Sequence, residues 1–405
     1  MRITASGNCP DSQKSAQPIG VEALAPERIE SQLAAAMRWL CSAQDQGADS
    51  GLAGSYTLLK GWSESYPETT GYVIPTFFAY ARHTGRSDFT DRGLRMAAWL
   101  LSLQAADGSF GGGVTGGKRW ASVFDTGQIL FGLIDAYRAT GTTSFLDAAV
   151  SAGRWLVEVQ NEDGGWPGRY DYLGKRHAYN VRVAWPLLLL AEAAGDEAFA
   201  AAAEKHVQWV LERVHVDGYV DDAAFDPDAG AYGFRRSVRI VVGERTLPSF
   251  FTAASLHTIA YSLEGLLESS WLLGDRTAAE RAERGAAALA EHARRRRLAG
   301  FYGPAWTPLT RSACLTGVAQ MALVWMRLHA AGRWDFLEAA DCAVELLLDA
   351  QRMRRRPRAI SGAVAGSKPV YGRYLPFRYP NWAAKFTADA FLARLEIARA
   401  DAGAS

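Results

Sequence analysis

The residues best able to do chemistry in this 405-residue chain fall where helical segments begin. Glu68 opens one in Pro67-Glu68-Thr69-Thr70-Gly71-Tyr72, and Asp125 another in Phe124-Asp125-Thr126-Gly127-Gln128. A third start gathers His177, Tyr179, Asn180 and Arg182. In a fourth, His257, Tyr261 and Glu264 recur at helical spacing, so they share a face. Two mechanisms compete for these residues, and the first is the preferred expectation. In one, His177 or Tyr179 moves the proton on the carbon beside a uronate carboxylate, while Asn180 and Arg182 hold that carboxylate; the product is an epimer or an unsaturated sugar. In the other, Glu68 and Asp125 form a carboxylate pair, one the acid and the other the base or nucleophile, as in glycoside hydrolysis. His257 is a third candidate base, with a core histidine as the competing reading.

The elements that position them repeat. Apolar residues recur at helical spacing in twelve segments, the first from about Arg28 to Gln44 and the last opening at Tyr379-Pro380-Asn381. Short glycine turns, such as Thr84-Gly85-Arg86 and Thr140-Gly141-Thr142, alternate with long aromatic loops. One such loop opens at Asp163-Gly164-Gly165, where paired glycines supply the positive φ that ends a helix. Short links make neighbours antiparallel, so the expected fold is an all-α (α/α)6 toroid with the even helices as an inner ring. A single toroid domain is expected over 26–402, after a disordered leader (1–25) and with an irregular insertion at 215–252.

All the long loops precede even-numbered helices, so the inner helices should start together at one mouth. Tyr72, Trp166, Tyr261, Gln320, Asn381, Trp382 and Lys385 then join Asn180 and Arg182 as candidate substrate-binding residues. Lys385, one turn into the last inner helix, is expected to point toward the pocket. Converging helix N-termini favour a hydroxyl-rich or anionic ligand, and Tyr and Trp offer stacking faces to sugar rings. The plainer alternative is that Glu68, Asp125 and Asn180 cap their own helices.

Composition excludes other classes. A net charge of +1 leaves no global attraction for nucleic acid. Cys9, Cys41, Cys314 and Cys342 have no metal-ligand spacing, and neither a metal nor a cofactor is expected. The first twenty residues lack the apolar run of a signal peptide and no window suits a membrane span, so a cytoplasmic protein is expected. Basic runs at Arg294 to Arg297 and Arg352 to Arg358 are either solvated surface or a patch for an acidic polymer or an anionic membrane.

Gln104 to Phe110 and Gln160 to Trp166 resemble the QW-type repeats of the squalene cyclase and prenyltransferase superfamily. Protonation-driven members of that superfamily carry an Asp-Xaa-Asp-Asp acid and ionisation-driven ones an Asp-rich magnesium site; this chain has neither, which weighs against terpene cyclisation. The whole motif order, through His177-Ala178-Tyr179-Asn180 and Asn381-Trp382-Ala383-Ala384-Lys385, more closely resembles toroid proteins of bacterial exopolysaccharide biosynthesis clusters. That resemblance implies a carbohydrate-active protein that makes or modifies a polysaccharide. Its expected partner is an oligo- or polysaccharide, with acidic and lipid-linked forms both open, and contact with a membrane surface is open as well. A saccharide-binding module without turnover is the non-enzymatic alternative.

Overall fold

Four helices end on a glycine in the left-handed region, Gly85, Gly141, Gly195 and Gly274, with φ between 66° and 70°. Each such turn folds an inner helix back against an outer one. A computed structural model describes residues 24–117, 120–225, 253–354 and 356–404. The leader up to residue 23 and the insertion from 226 to 252 lie outside the described residues.

Twelve α-helices follow in order among those residues: α1 Pro26–Gln44, α2 Pro67–Thr84, α3 Ser87–Leu101, α4 Val123–Thr140, α5 Thr143–Glu158, α6 Val181–Ala194, α7 Glu197–Leu211, α8 Leu256–Leu273, α9 Arg276–Arg294, α10 Leu315–Ala330, α11 Leu337–Ala350 and α12 Asn381–Ala404. The even helices pack each on the next, and α12 returns to α2, closing a ring. The odd helices form an outer layer, with α1 seated on α12. This is the (α/α)6 toroid.

Burial explains which helix goes where. In α8 every residue from Leu256 to Leu267 is buried, as a helix enclosed on all sides requires. The outer α9 buries one stripe only, Ala278, Ala282, Gly285, Ala286, Leu289, Ala290 and Ala293, and turns its charges outward. Inner helices meet closely at Gly265 on α8, where a Cβ would lie 2.6 Å from the Arg182 backbone nitrogen.

The QW-type repeats tie the outer layer together. At the end of α3, Gln104 Nε2 donates to Gly108 O in its own loop (3.0 Å) and to Ala148 O on α5 (2.8 Å). At the end of α5, Gln160 does the same with Gly164 O (2.8 Å) and Ala202 O on α7 (2.9 Å). Gln351 clasps Gly362 O and Gln32 O on α1, both at 2.9 Å, and Gln44 clasps Ser50 O and Arg92 O on α3, both at 3.2 Å. Of the paired glycines, only Gly164 has a positive φ (86°), and a Cβ there would meet the Lys205 carbonyl. Trp166 and Phe110 are buried beneath these clasps, where truncating an aromatic side chain costs about 3–5 kcal/mol.

Small sheets brace the long loops. Strands β1 (Ser55–Thr57), β2 (Gly61–Trp62) and β8 (Arg378–Pro380) form one, in the order β2-β1-β8. β3 (Ala254–Ser255), β4 (Phe301–Gly303) and β5 (Thr307–Pro308) form a second, and β6 (Ala313–Cys314) pairs with β7 (Ser367–Lys368). The last helix therefore begins at Asn381, because Tyr379 and Pro380 are taken up in pairing with β1.

Candidate active site

At the end of the ring where the inner helices begin, a cavity of about 260 Å³ opens. Its acidic wall comes from three chain segments: Glu68 in the first turn of α2, Asp125 in the first turn of α4, and Asp171 in the loop before α6. Tyr66, Tyr72, Phe124, Tyr179, Tyr261, Tyr374 and Trp382 supply aromatic walls, and Thr69, Ser122, His257 and Arg378 add further polar groups.

None of the three residues expected to cap a helix spends its side chain that way. The cap of α4 is Ser122, whose Oγ accepts from Asp125 N–H and donates to Asp125 Oδ2 at 2.6 Å. Asp125 Oδ1 also accepts the Gly113 N–H at 3.2 Å. Glu68 sits behind an uncapped Tyr66, whose hydroxyl bonds to its carboxylate. Asn180 turns away from its helix and donates to Asp171 Oδ2 at 2.6 Å.

Electrostatics shifts Glu68 and His257 in opposite directions. Burial and the nearby charge of Asp125 push the Glu68 carboxyl well above the usual range, against the opposing pull of Tyr66 and Arg182. Glu68 therefore holds a proton where an ordinary carboxyl has lost it. His257 goes the other way: burial, with Arg182 adding to it, lowers it to about 4 against the Gln320 hydrogen bond and Glu264. With Gln320 Oε1 accepting from Nδ1 at 2.7 Å, the neutral ring carries its lone pair on Nε2.

Other expected site residues lie outside the cavity lining. His177 is buried behind Asp171, its Nδ1 2.9 Å from Asp171 Oδ2 and its Nε2 2.9 Å from the Phe225 carbonyl. Burial opposes charge on that ring, but Asp171 and the carbonyl outweigh it and raise the pKa. Nδ1 faces Asp171 and Nε2 faces a carbonyl, and His177 is not among the residues that line the cavity. Its ring stacks on Tyr179 at 4.6 Å, and Tyr179 does line the cavity. Arg182 lies under the floor, its Nε 2.9 Å from Glu264 Oε2 and its Nη1 bonded to Gln128. Gln320 holds His257 from behind, and Asn381 ties α12 to Ala53 O (3.0 Å) and Thr69 Oγ1 (2.8 Å). Trp166 is packed on the outer layer, its Nε1 donating to Leu156 O at 2.9 Å.

Lys385 corrects the expected direction. Its Nζ is 2.6 Å from Asp389 Oδ2 and it lines a different cavity, of about 620 Å³, with Arg327, Glu264 and the later turns of the inner helices. Tyr72 borders both cavities, so a thin layer containing Tyr72 and Arg182 divides the ring.

Asp171 escaped the sequence reading, and so did Tyr66, Phe124, Tyr374 and Arg378. A signal was present for the first: an acid flanked by two tyrosines in a glycine-rich loop, Tyr170-Asp171-Tyr172. Nothing in its spacing tied it to His177 and Asn180.

Comparison with known proteins places the fold. Residues 117–241 match the model of the squalene-hopene cyclase C-terminal domain. No curated protein matches the chain in sequence. Solved structures match over nearly the whole length. A crystal structure of an unsaturated glucuronyl hydrolase specific for heparin is 16% identical, with a TM-score of 0.69 and coverage of 92% of this chain and 98% of its own. The cellobiose 2-epimerase of Bacillus thermoamylovorans is 11% identical, with a TM-score of 0.67 and coverage of 92% and 99%. A sugar epimerase from a ruminal bacterium is 10% identical, with a TM-score of 0.70 and coverage of 92% and 98%. At these identities the likeness is one of fold.

Proposed function

We propose that the protein is a carbohydrate-active enzyme that hydrolyses the terminal sugar from an oligosaccharide, with Glu68 as general acid and Asp125 as its charged partner. One observation carries this reading: two acids from adjoining inner helices face one cavity, and the charge of Asp125 helps keep the proton on Glu68. A cavity of about 260 Å³ suits one or two sugar rings, and its aromatic walls suit their apolar faces. Arg378 at the rim has no ion pair among the described residues and is the cation suited to a uronate carboxylate. His177 and Asn180 orient Asp171 on this reading, and Asp171 orients the sugar. Neighbours in fold that are hydrolases and epimerases of sugars support the substrate class. A setting in exopolysaccharide metabolism is part of the proposal and rests on motif order.

A second reading has its own observation: a neutral His257 with Nε2 at the cavity is a base for epimerisation beside a carbonyl. NMR in D2O with uronate-containing and neutral oligosaccharides separates the two. New reducing ends, lost in Asp125→Asn, support hydrolysis. Deuterium entering at carbon without chain cleavage, lost in His257→Ala, replaces it with epimerisation. Binding without either signal overturns both in favour of a saccharide-binding module.

A further inference from the structure

A separate cleft of about 740 Å³ is lined by His292, Arg295, Arg296 and Arg297 around the end of α9, together with Arg311 and Lys368. None of its lining residues is acidic. Part of this charge has a structural account. Cations complement the C-terminal end of α9, Arg296 lies 2.6 Å from Glu345, and Arg295 reaches Glu291 at 3.7 Å. That account stops at Arg297, Arg311 and Lys368, which have no ion pair among the described residues. They come from three separate stretches of chain, so the fold gathers them where no single basic run would. Like charges brought together in a concavity repel one another, and an anion seated there relieves that repulsion.

The cleft is joined to the catalytic cavity by hydrogen bonds. Lys368 pairs with Ala313 across β6 and β7. Its neighbour Ser367 donates from Oγ to Tyr374 O at 2.6 Å and accepts from Tyr374 N–H at 3.1 Å. Tyr374 is a wall of the catalytic cavity. A cation of the cleft, Lys368, thus directly follows a residue bonded to that wall, and Arg378 stands at the cavity rim four residues after Tyr374.

We propose that the cleft is a distal subsite for an acidic oligosaccharide, whose terminal sugar enters the catalytic cavity while its further carboxylates or sulfates bind Arg297, Arg311 and Lys368. This deepens the functional reading above and rests on it for the polarity of the chain. Guanidinium groups suit such ligands because their paired N–H donors match the two oxygens of a carboxylate or sulfate. A concave site suits a chain that can lie in it better than a flat anionic membrane surface. The cleft lining has no aromatic ring beyond His292 on which bases could stack.

The test is calorimetric titration with tetragalacturonate and with neutral maltotetraose, each at low and at moderate salt. It uses the wild-type protein, the exposed-site variant Arg297→Gln/Arg311→Gln and the catalytic variant Asp125→Asn. Tetragalacturonate is expected to bind wild type and Asp125→Asn with the same weakening as salt rises, and to bind the double variant about tenfold more weakly than wild type. Maltotetraose affinity is expected to be equal in the wild type and the double variant. Equal tetragalacturonate affinity in those two proteins overturns the subsite. So does charge-dependent binding to phosphatidylglycerol vesicles without any to tetragalacturonate, which assigns the cleft to a membrane surface. Loss of product in Asp125→Asn reports on the catalytic reading alone, so charge-dependent binding with no turnover in the wild type leaves the subsite standing and removes the hydrolase.

Discussion

Arg182 Nε lies 2.9 Å from a carboxylate oxygen of Glu264, and the two side chains come from adjoining inner helices, α6 and α8. Both are buried, and the guanidinium lies 4.8 Å from the Tyr261 ring centroid and 5.1 Å from that of Phe131. Burial opposes both charges, yet Arg182, followed by Arg327 and Lys385, holds the Glu264 carboxyl below its ordinary value. The pair thus packs against Tyr261, a wall of the candidate cavity.

Breaking that pair from one side should be costly. Arg182→Met leaves a charged carboxylate in the core and is expected to destabilise the fold by about 3–5 kcal/mol, toward the lower end because Arg327 and Lys385 also face Glu264. Adding Glu264→Met should recover most of the loss. Urea unfolding of the single and double variants checks both expectations.

Glu68 should trade stability for chemistry. Its folded-state pKa lies above the unfolded value of about 4.3, so its contribution is complete below that pH and is lost as pH rises through the raised value. Glu68→Gln is therefore expected to raise the melting temperature at neutral pH while abolishing turnover. Tyr66→Phe removes a bond that lowers the Glu68 pKa, so the alkaline limb of the activity profile should move to higher pH.

His257 should give the opposite pH dependence. Its pKa falls from about 6.5 in the unfolded chain to about 4 in the fold, so its contribution is present above the higher value and is lost as pH falls through the lower one. In His257→Asn this part of the acid-side loss should vanish. Denaturant midpoints measured from pH 7 to pH 4 provide the comparison.

The glutamine clasps should matter to stability and not to catalysis. Gln160→Ala removes two hydrogen bonds between α5, its loop and α7, an expected loss of about 1–3 kcal/mol with kcat unchanged. Gly164→Ala should cost more, because it adds a Cβ at φ 86° against the Lys205 carbonyl. Thermal unfolding with a parallel assay of sugar turnover separates the two effects.

The ring and its open mouth were legible because they depend on local signals. Glycine turns and apolar periodicity recur along the chain, and alternating loop lengths say which helices start together. Depth within the ring is not written in that pattern. Lys385 lies four residues into its helix, about 6 Å below Asn381, and its amine is drawn further down by Asp389. Tyr72 and Tyr261 are equally deep but reach the cavity, since long helical side chains lean toward the N-terminus. Nor could spacing show that Asp171 engages His177 and Asn180, because an irregular loop has no period to read. The QW-type repeats carried the clearest resemblance and turn out to bind outer helix to outer helix, away from the acids.

The packing of α1 against α12 has a further consequence. Arg399 near the end of α12 reaches Glu30 in α1 at 3.5 Å, so this junction stands where a glycine turn stands between the other helix pairs. A circle of hairpins can be cut at another point. If a short linker joined the ends of α12 and α1 and the chain were opened at Thr140-Gly141-Thr142, the same acids would face the same cavity. The site depends on the cyclic order of the hairpins, and not on which of them the ribosome makes first.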